Sequence, residues 1–294
     1  MADTFLHGCH LSIAGGAERA LDEAERLQIT ALQVFSHAPS AWRMPPIPDE
    51  SAAAFRERRA ASAIRFLAVH TAYLLNLATP DDSLHTRSVA ALIEEVRRAA
   101  QLGADVIVTH LGAHRGAGAL VGIERIVDAL HQVSASEPFA STSLRLLLEN
   151  TAGAGTTMGR TFDELGSIIE QLHAGERVGV CLDSCHAFAG GYDVRSPEAL
   201  GDTLDKCDAA IGLDRLQMMH LNDAKHDLGS RRDRHEHLGA GHIGEAGFAA
   251  MLNHPRLRNL PVLLETPKEL ENGDQADPVN LATLRRLRQT EAAL

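Results

Sequence analysis

The sequence lacks most of the features that mark exported or membrane proteins. Four cysteines among 294 residues are too few for the disulfide framework of a small secreted domain. No apolar run approaches the ~18 residues of a membrane-spanning helix, and the amino terminus has neither the basic nor the apolar segment of a signal peptide. These absences predict a cytoplasmic protein with reduced thiols and no membrane partner.

Basic residues are in the minority, and aromatic residues make up only 4% of the chain. The 28 Lys and Arg against 39 Asp and Glu give a formal net charge of −11, which disfavours electrostatic coating of nucleic acids or acidic membranes. Histidine, by contrast, is abundant, with 16 residues. Because histidine is the commonest metal ligand and the usual acid–base residue near neutral pH, the positions of these histidines decide what they do.

Short runs of aliphatic and β-branched residues alternate along the chain with longer segments of helical periodicity, the pattern of βαβ units. The eight predicted strands cover residues 6–12, 31–35, 66–69, 105–109, 144–148, 178–182, 216–219 and 261–264. Predicted helices between them cover residues 16–28, 49–63, 83–102, 122–133, 161–173 and 197–211. This order predicts a single-domain α/β fold over residues 1–294, a (β/α)8 TIM barrel. A doubly wound open sheet is the alternative, although no dinucleotide-binding fingerprint follows the first strand.

A histidine or a carboxylate stands directly after six successive predicted strands: His70, His110, Glu149, Asp183, His220 and Glu265. Neighbouring members are 34 to 45 residues apart, about the length of one βα unit. The carboxyl ends of parallel barrel strands meet at one face, where the active sites of such barrels lie. We therefore expect these six side chains to converge at that face.

Gathering six titratable groups around one axis is costly unless their charge is compensated. Divalent metal ions compensate it, and a mixed set of histidines and carboxylates favours zinc, manganese or iron over magnesium or calcium. Three loop residues, His186, Asp233 and His235, form a further candidate ligand set with open positions for water or substrate. The alternative is a polar, hydrogen-bonded barrel mouth that binds no metal.

Six blocks of sequence carry a family resemblance: residues 8–16 (GCHLSIAGG), 148–155 (LENTAGAG), 178–193 (VGVCLDSCHAFAGGYD), 219–225 (MHLNDAK), 229–237 (GSRRDRHEH) and 264–266 (LET). Together they resemble endonuclease IV (AP endonuclease family 2), the trinuclear zinc apurinic/apyrimidinic endonucleases of base-excision repair. The resemblance covers nearly the whole chain. It implies a TIM barrel with a metal cluster at the carboxyl-terminal face of its strands.

The nine residues that match the family's metal ligands fall into three sets, one for each of three zinc ions. They are His70, His110 and Glu149 for the first ion; Glu149, Asp183, His220 and Glu265 for the second; and His186, Asp233 and His235 for the third. Because Glu149 would bridge two ions, the resemblance implies a catalytic role for it as well.

The resemblance also implies a reaction. It predicts a zinc-dependent deoxyribonuclease IV of the phage-T4-induced type, which hydrolyses the phosphodiester bond 5′ to an abasic site in duplex DNA. The expected products are a 3′-hydroxyl and a 5′-deoxyribose phosphate, and trimming of blocked 3′ ends is a further expected activity. The implied partner is duplex DNA that contains abasic sites, at the nucleoid. The protein is expected to act as a monomer without an obligate protein partner.

Several further side chains are expected to act beside the ligands. Tyr73 and Leu74 match a pair that family members insert into DNA, and four basic residues stand close together in sequence: Lys225, Arg231, Arg232 and Arg234. His10 and His114 are expected to support metal ligands without binding an ion. Residues 36–41 depart from the family, because they are shorter than its usual DNA-probing side chains, so Tyr73 and Leu74 are expected to carry more of the recognition.

Two other functions fit part of this pattern. A metal-dependent sugar isomerase or epimerase also uses strand-end histidines and carboxylates, but one or two metal ions suffice for its reaction, so the third ligand set argues against it. A DNA-damage binding protein that has lost catalysis is the other alternative. Against it stands the finding that all nine ligand positions hold the expected residue type.

Overall fold

Eight parallel strands form a closed barrel in the computed structural model, which describes residues 5–172 and 177–288. Neighbouring strands around the barrel follow chain order, and the last strand pairs with the first. The strands are β1 (His7–His10), β2 (Ala31–Phe35), β3 (Phe66–His70), β4 (Val106–Thr109), β5 (Arg145–Glu149), β6 (Val178–Asp183), β7 (Leu216–His220) and β10 (Val262–Leu264). Two shorter strands, β8 (Asp223–Ala224) and β9 (His235–Glu236), pair antiparallel outside the barrel. The predicted TIM barrel is therefore confirmed.

Helices surround the barrel and connect its strands. They are α1 (Ala17–Arg26), α2 (Asp49–Ala61), α3 (Asp82–Gln101), α4 (Ala119–Ala135), α5 (Glu137–Ala140), α6 (Phe162–Glu170), α7 (Ser184–Gly190), α8 (Pro197–Ile211), α9 (Gly244–Asn253) and α10 (Asp277–Leu287). Side chains of Asp81, Thr161 and Ser196 accept hydrogen bonds from backbone N–H groups in the first turns of α3, α6 and α8. Such capping explains where these helices begin.

Two apolar layers hold the barrel together. A small cluster fills its interior, where side chains from alternate strand positions meet: Ala31, Phe66, Ala68, Val106, Val108, Leu147, Cys181, Met218 and Leu263. The alternate residues of the same strands, such as Ile107 and Leu148, point outward into a larger cluster between strands and helices. Strands buried on both faces are mostly apolar, and four of the candidate ligands are the last residues of their strands, at the carboxyl-terminal mouth.

Some predicted boundaries and elements were wrong in detail. The structure makes His70, Glu149, Asp183 and His220 the last residues of their strands, whereas His110 and Glu265 follow theirs as predicted. The sequence pattern did not predict α5, α7, α9, α10 or the β8–β9 pair, because each is short or lacks clear periodicity. The predicted helix 161–173 ends at Glu170, and its last predicted residue, His173, lies outside the described residues.

Across the described ranges, no helix combines the length and the apolar character that spanning a bilayer requires. All four cysteines are free and buried.

Close packing of α6 against α8 gives a test of the fold. A Cβ atom added at Gly166 on α6 would lie 2.2 Å from the backbone oxygen of Ala210, whereas one added at Gly201 on α8 would meet nothing within 4 Å. We expect Gly166→Ala to lower the free energy of unfolding by about 1–3 kcal/mol through overpacking. Gly201→Ala should raise it by about 0.5–1 kcal/mol through helix propensity. Urea denaturation of both variants measures this, and equal effects would contradict the packing described.

Candidate metal centre

The carboxylate of Glu149 lies at the centre of the barrel mouth. It is fully buried, and its oxygens contact histidines from other strands and loops. His70 Nε2 lies 3.0 Å from Oε2, His220 Nδ1 lies 3.0 Å from Oε1, and His186 Nδ1 lies 3.3 Å from Oε1. His110 Nε2 is 3.6 Å from Oε2. The strand-end residues predicted to converge are therefore brought together around this one group.

Two sets of side chains around Glu149 are compact enough to bind metal ions. The ligand atoms of His70, His110 and Glu149 lie within 4.8 Å of one another. So do those of the second set, in which Glu149 recurs: Glu149, Asp183, His220 and Glu265. These sets coincide with the first two predicted from sequence, and Glu149 is common to both.

A third group lies beside them, where α7 meets the loop between β8 and β9. Asp233 lies between the predicted partners, with Oδ2 3.2 Å from His186 Nε2 and Oδ1 3.4 Å from His235 Nε2. Two buried neighbours also offer donor atoms within 4.8 Å of members of this group, the Asp183 carboxylate and the Cys185 thiol. The sequence prediction had treated Cys185 only as a buried thiol.

Several histidine rings of the site are oriented by a hydrogen bond from one ring nitrogen to the protein. His70 Nδ1 lies 2.8 Å from the Thr71 carbonyl oxygen, and His235 Nδ1 lies 3.1 Å from that of Glu265. Because a carbonyl oxygen only accepts, these Nδ1 atoms carry protons, which leaves the Nε2 atoms as the ones that can bind a metal ion or, when protonated, donate to a carboxylate. His235 Nε2 is buried without a hydrogen-bond partner among the described residues. Metal-binding histidines typically show this arrangement, so the residues present fit divalent ions.

Neighbouring histidines lower the pKa values of two carboxylates in the cluster, Glu149 and Asp233. Burial favours protonation of Glu149, yet the attraction of His110 and His220 and hydrogen bonds from its histidine neighbours hold its pKa well below the usual value. Desolvation raises the pKa of Asp233 although its side chain is half exposed, but contacts with His186 and His235 outweigh this effect and lower the pKa to about 2. Glu149 and Asp233 are therefore anionic and need neighbouring positive charge, which protonated histidines or metal ions can supply.

Comparison with known proteins identifies relatives of the whole chain. Residues 21–289 match the family described as xylose isomerase-like TIM barrel. Probable endonuclease 4 of Methanoculleus marisnigri is 46% identical over 282 residues, which cover 96% of this chain and 98% of that protein. Probable endonuclease 4 of Chloroflexus aurantiacus is 42% identical over the same shares. The chain belongs to the endonuclease IV family.

Solved structures agree with membership of the endonuclease IV family. Endonuclease IV from Thermus thermophilus superposes with a TM-score of 0.83 at 37% identity, covering 96% of this chain and 98% of that one. A D-tagatose 3-epimerase-like protein superposes with a TM-score of 0.72 at only 16% identity, covering 96% of each chain. The second likeness shows the barrel alone, so the similarity to sugar-converting enzymes extends only to the fold.

Amide side chains that the sequence prediction missed hold the candidate ligands in place. Gln33, fully buried on β2, donates from Nε2 to Glu265 Oε1 at 2.6 Å and accepts through Oε1 from His220 Nε2 at 2.8 Å. Asn222 donates to Asp183 Oδ2 at 2.6 Å, and Asn150 accepts from the Asp183 backbone N–H at 2.7 Å. Their positions in the sequence could have indicated them. Gln33 is a polar residue within the apolar strand β2, and the two asparagines lie close in sequence to predicted ligands.

Tyr73 and Leu74 lie on the rim of the site. The Tyr73 side chain is 66% exposed, and its ring packs edge-on against Phe35, with centroids 5.3 Å apart. Leu74 is half-buried beside it. Tyr73 and Arg234 line the same open cavity of about 390 Å³ as candidate ligands from all three sets. Exposure of the aromatic ring next to this cavity makes it available to a ligand.

The other basic residues and the two remaining histidines occupy different surroundings. Lys225 Nζ lies 3.8 Å from Glu236 Oε2, while Arg231 and Arg232 are exposed in the β8–β9 loop. His10 Nδ1 accepts from Gln33 Nε2 at 2.9 Å and lies 3.6 Å from Glu265. His114 Nδ1 accepts from the Gly118 backbone N–H at 3.0 Å on the rim. His10 thus lies beside a candidate ligand, whereas His114 contacts a loop backbone.

The loop of residues 36–41, expected to have lost its DNA-probing side chains, has a buried base. Ser36 Oγ donates to Glu95 Oε2 at 2.7 Å, and His37 Nε2 lies 2.9 Å from Glu95 Oε1. The same Oε1 accepts from the Ala72 backbone N–H at 2.9 Å. Ser36 and His37 therefore point into the protein, and only the tip of the loop, including Ser40, is exposed.

The role of Gln33 can be tested with a substitution that keeps its approximate size. Gln33→Leu removes the acceptor for His220 Nε2 and the donor to Glu265, and we expect zinc affinity to fall about 10–100-fold. Competition with a chromophoric chelator measures the affinity. Gln217→Leu, on β7 beside Gly179, is the matched control and should leave it unchanged. If both variants bind zinc like the parent protein, Gln33 does not orient the ligands.

Proposed function

We propose that this protein is a DNA-repair endonuclease that hydrolyses the phosphodiester bond 5′ to abasic sites in duplex DNA. The proposed products are a 3′-hydroxyl and a 5′-deoxyribose phosphate, and blocked 3′ ends are further substrates. The observation that supports it best is the third group, His186, Asp233 and His235, beside the two sets that share Glu149. Relatives with 46% and 42% identity over nearly their full length carry the name probable endonuclease 4.

The cofactor is proposed to be zinc, with three ions per chain. His70, His110 and Glu149 would hold the first ion and the three-residue group the third, while the second would take Glu149 together with Asp183, His220 and Glu265. Bound zinc supplies Lewis acidity, which polarises phosphoryl oxygens and lowers the pKa of water toward ~7. A mixed nitrogen and oxygen donor set of this kind suits zinc better than magnesium or calcium.

The chain's own residues would bind and orient the DNA. Glu149 keeps two ligand sets together because each of its oxygens faces a different histidine. Tyr73 presents an exposed ring that can stack on a base neighbouring the abasic sugar. Arg234, which lines the cavity, would pair with a phosphate. Moving an abasic nucleotide out of the duplex costs little, because no base pair is lost.

The acidic net charge is compatible with this substrate. The chain carries −11 overall, but the phosphate would approach a region where bound metal ions and Arg234 would concentrate positive charge. Binding would then depend on a local field rather than on a generally basic surface. The proposal further places the enzyme at the nucleoid as a monomer that needs no obligate protein partner.

Cleavage of a duplex with one abasic-site analogue tests the function directly. We expect cleavage 5′ to the analogue without added Mg²⁺ and about three zinc ions per purified chain by elemental analysis. Multidentate sites hold zinc tightly, so activity should persist in moderate EDTA and be lost only on full removal of metal. Strict dependence on added Mg²⁺, with no zinc in the purified protein, would overturn the proposal.

Comparing Glu149→Gln with His114→Ala tests whether Glu149 bridges two ions while His114 acts only at the edge of the site. An amide bridges two ions poorly and leaves excess positive charge, so we expect kcat/KM on the abasic duplex to fall far more than in His114→Ala. His114 contacts the Gly118 backbone rather than the cluster, and its loss should cost no more than about 10–100-fold. Equal losses in the two variants would contradict the placement of Glu149 at the centre of the reaction.

Tyr73→Ala tests recognition of the damage. Stacking on a base contributes about 1–3 kcal/mol, whereas exposed Ser40 has at most one phosphate hydrogen bond to lose, so Tyr73→Ala should weaken binding much more than Ser40→Ala. Binding is measured at fixed salt, because salt screens phosphate contacts, on a duplex with a non-hydrolysable linkage. A larger loss in Ser40→Ala would mean that the tip of the 36–41 loop reads the damage.

A further inference from the structure

Asp223 lies outside all three ligand sets, at the start of the segment that carries Asp233 and His235. Its side chain is fully buried, and backbone N–H groups saturate its carboxylate. Oδ1 accepts from Ala224 at 2.8 Å and from Ile243 at 2.9 Å, and Oδ2 accepts from Gly239 at 2.9 Å, Gly241 at 3.0 Å and Gly244 at 3.2 Å. Both carboxylate oxygens of Asp223 therefore accept hydrogen bonds from the backbone.

These hydrogen bonds join the two ends of one loop. Asp223 and Ala224 form β8 at its start, and the other four donors lie at residues 239–244, where the chain returns to the barrel wall and α9 begins. Between them, β9 pairs with β8 through only two residue pairs. Closing a loop of about 20 residues costs conformational entropy, and five hydrogen bonds to one buried carboxylate offset that cost where the loop closes.

Two of the three members of the third group, Asp233 and His235, lie in this loop, whereas the other two sets lie at the ends of barrel strands. The β8–β9 pair holds Asp233 and His235 over α7. The backbone of the loop is also bonded to α7, from Gly229 N–H to the Phe188 carbonyl and from Arg231 N–H to the Ala189 carbonyl, both at 3.0 Å. The first two sets come from residues at the ends of barrel strands, which the barrel hydrogen bonds fix independently. Displacing the loop would therefore disturb one candidate metal site and spare two.

We infer that Asp223 is a positioning residue for the third metal ion, and this inference rests on the proposed three-zinc function. Its carboxylate fixes the ends of the 223–244 loop so that Asp233 and His235 face His186. In Asp223→Asn, an NH₂ group would replace one of the two accepting oxygens and would face backbone N–H groups. The loop ends would then separate, and the third site would lose its shape.

A second substitution disturbs the same contact from the opposite side without changing charge. A Cβ atom at Gly241 would lie 2.5 Å from Asp223 Oδ1 and 2.5 Å from the Ala224 backbone oxygen. Gly241→Ala therefore has to push the carboxylate or the strand away. Asp227→Asn is the matched control, because Asp227 belongs to the same loop and its side chain is 88% exposed. Its contact with His242 Nδ1 at 3.1 Å can be kept by the Oδ1 atom of an asparagine.

Two measurements on the full chain test the inference. Zinc-loaded protein is counted by native mass spectrometry and titrated with a chromophoric chelator. We expect Asp223→Asn and Gly241→Ala to keep two ions and to bind the third about 10–100-fold more weakly, while Asp227→Asn keeps three. Metal-free protein is digested with trypsin, and cleavage after Arg231, Arg232 or Arg234 should be faster in the first two variants only.

The outcomes separate the loop role from the three-metal proposal. Retention of the third ion with parent affinity and unchanged tryptic cleavage in both variants would overturn the inference. Loss of all ions together with a lower melting temperature in both would also overturn it, because Asp223 would then support the barrel. Fewer than three zinc ions in the parent protein would refute the three-metal function, whereas the trypsin rates would still report on the loop.

Discussion

Burial of the Glu149 carboxylate at the mouth of the barrel is the constraint on which the site depends. An anion with no access to water is stable only if surrounding groups replace the solvation it has lost. Here histidines from β3, the β4–α4 loop, α7 and β7 do so at 3.0–3.6 Å. Each of those rings is directed at Glu149, so the position of one carboxylate determines where the neighbouring ligands must lie.

The apolar barrel beneath this mouth explains why the arrangement is rigid. The clustered residues of its interior are apolar side chains and Cys181, and the hydrogen-bonding side chain of Gln33 lies in register with one of them, Ala68. Amide side chains lie between the candidate ligands. Gln33 forms hydrogen bonds with His220 and Glu265, and Asn150 and Asn222 form hydrogen bonds with Asp183. A site of this kind is preorganised, because each of these ligands has a second contact that fixes its orientation.

Sequence reasoning predicted which side chains converge where their spacing follows the period of the fold. His70 and Glu149 could be found because parallel strands place their carboxyl ends together, so spacing along the chain becomes proximity in space. The roles of Gln33 and Asp223 could not be found in that way. Their partners lie tens of residues away or along the backbone of a loop, and one isolated polar residue does not specify its partner. The buried contact of His37 with Glu95 could not be predicted for the same reason, since it depends on how α3 packs.

The contact between Glu95 and two rim loops has a consequence for how this surface can change over evolution. Because one buried carboxylate holds Ser36, His37 and the Ala72 backbone, the bases of both loops are fixed to α3 as a unit. Substitutions at those bases will act non-additively, since a shift in one loop must be transmitted to the other. At the tip, the contact with the second loop is a backbone hydrogen bond from Tyr73 N–H to the Pro39 carbonyl at 3.2 Å, which does not involve the exposed side chain of Ser40, so that side chain is free to vary in chemistry. New substrate preferences can therefore arise at the tip without disturbing the bases that hold both loops.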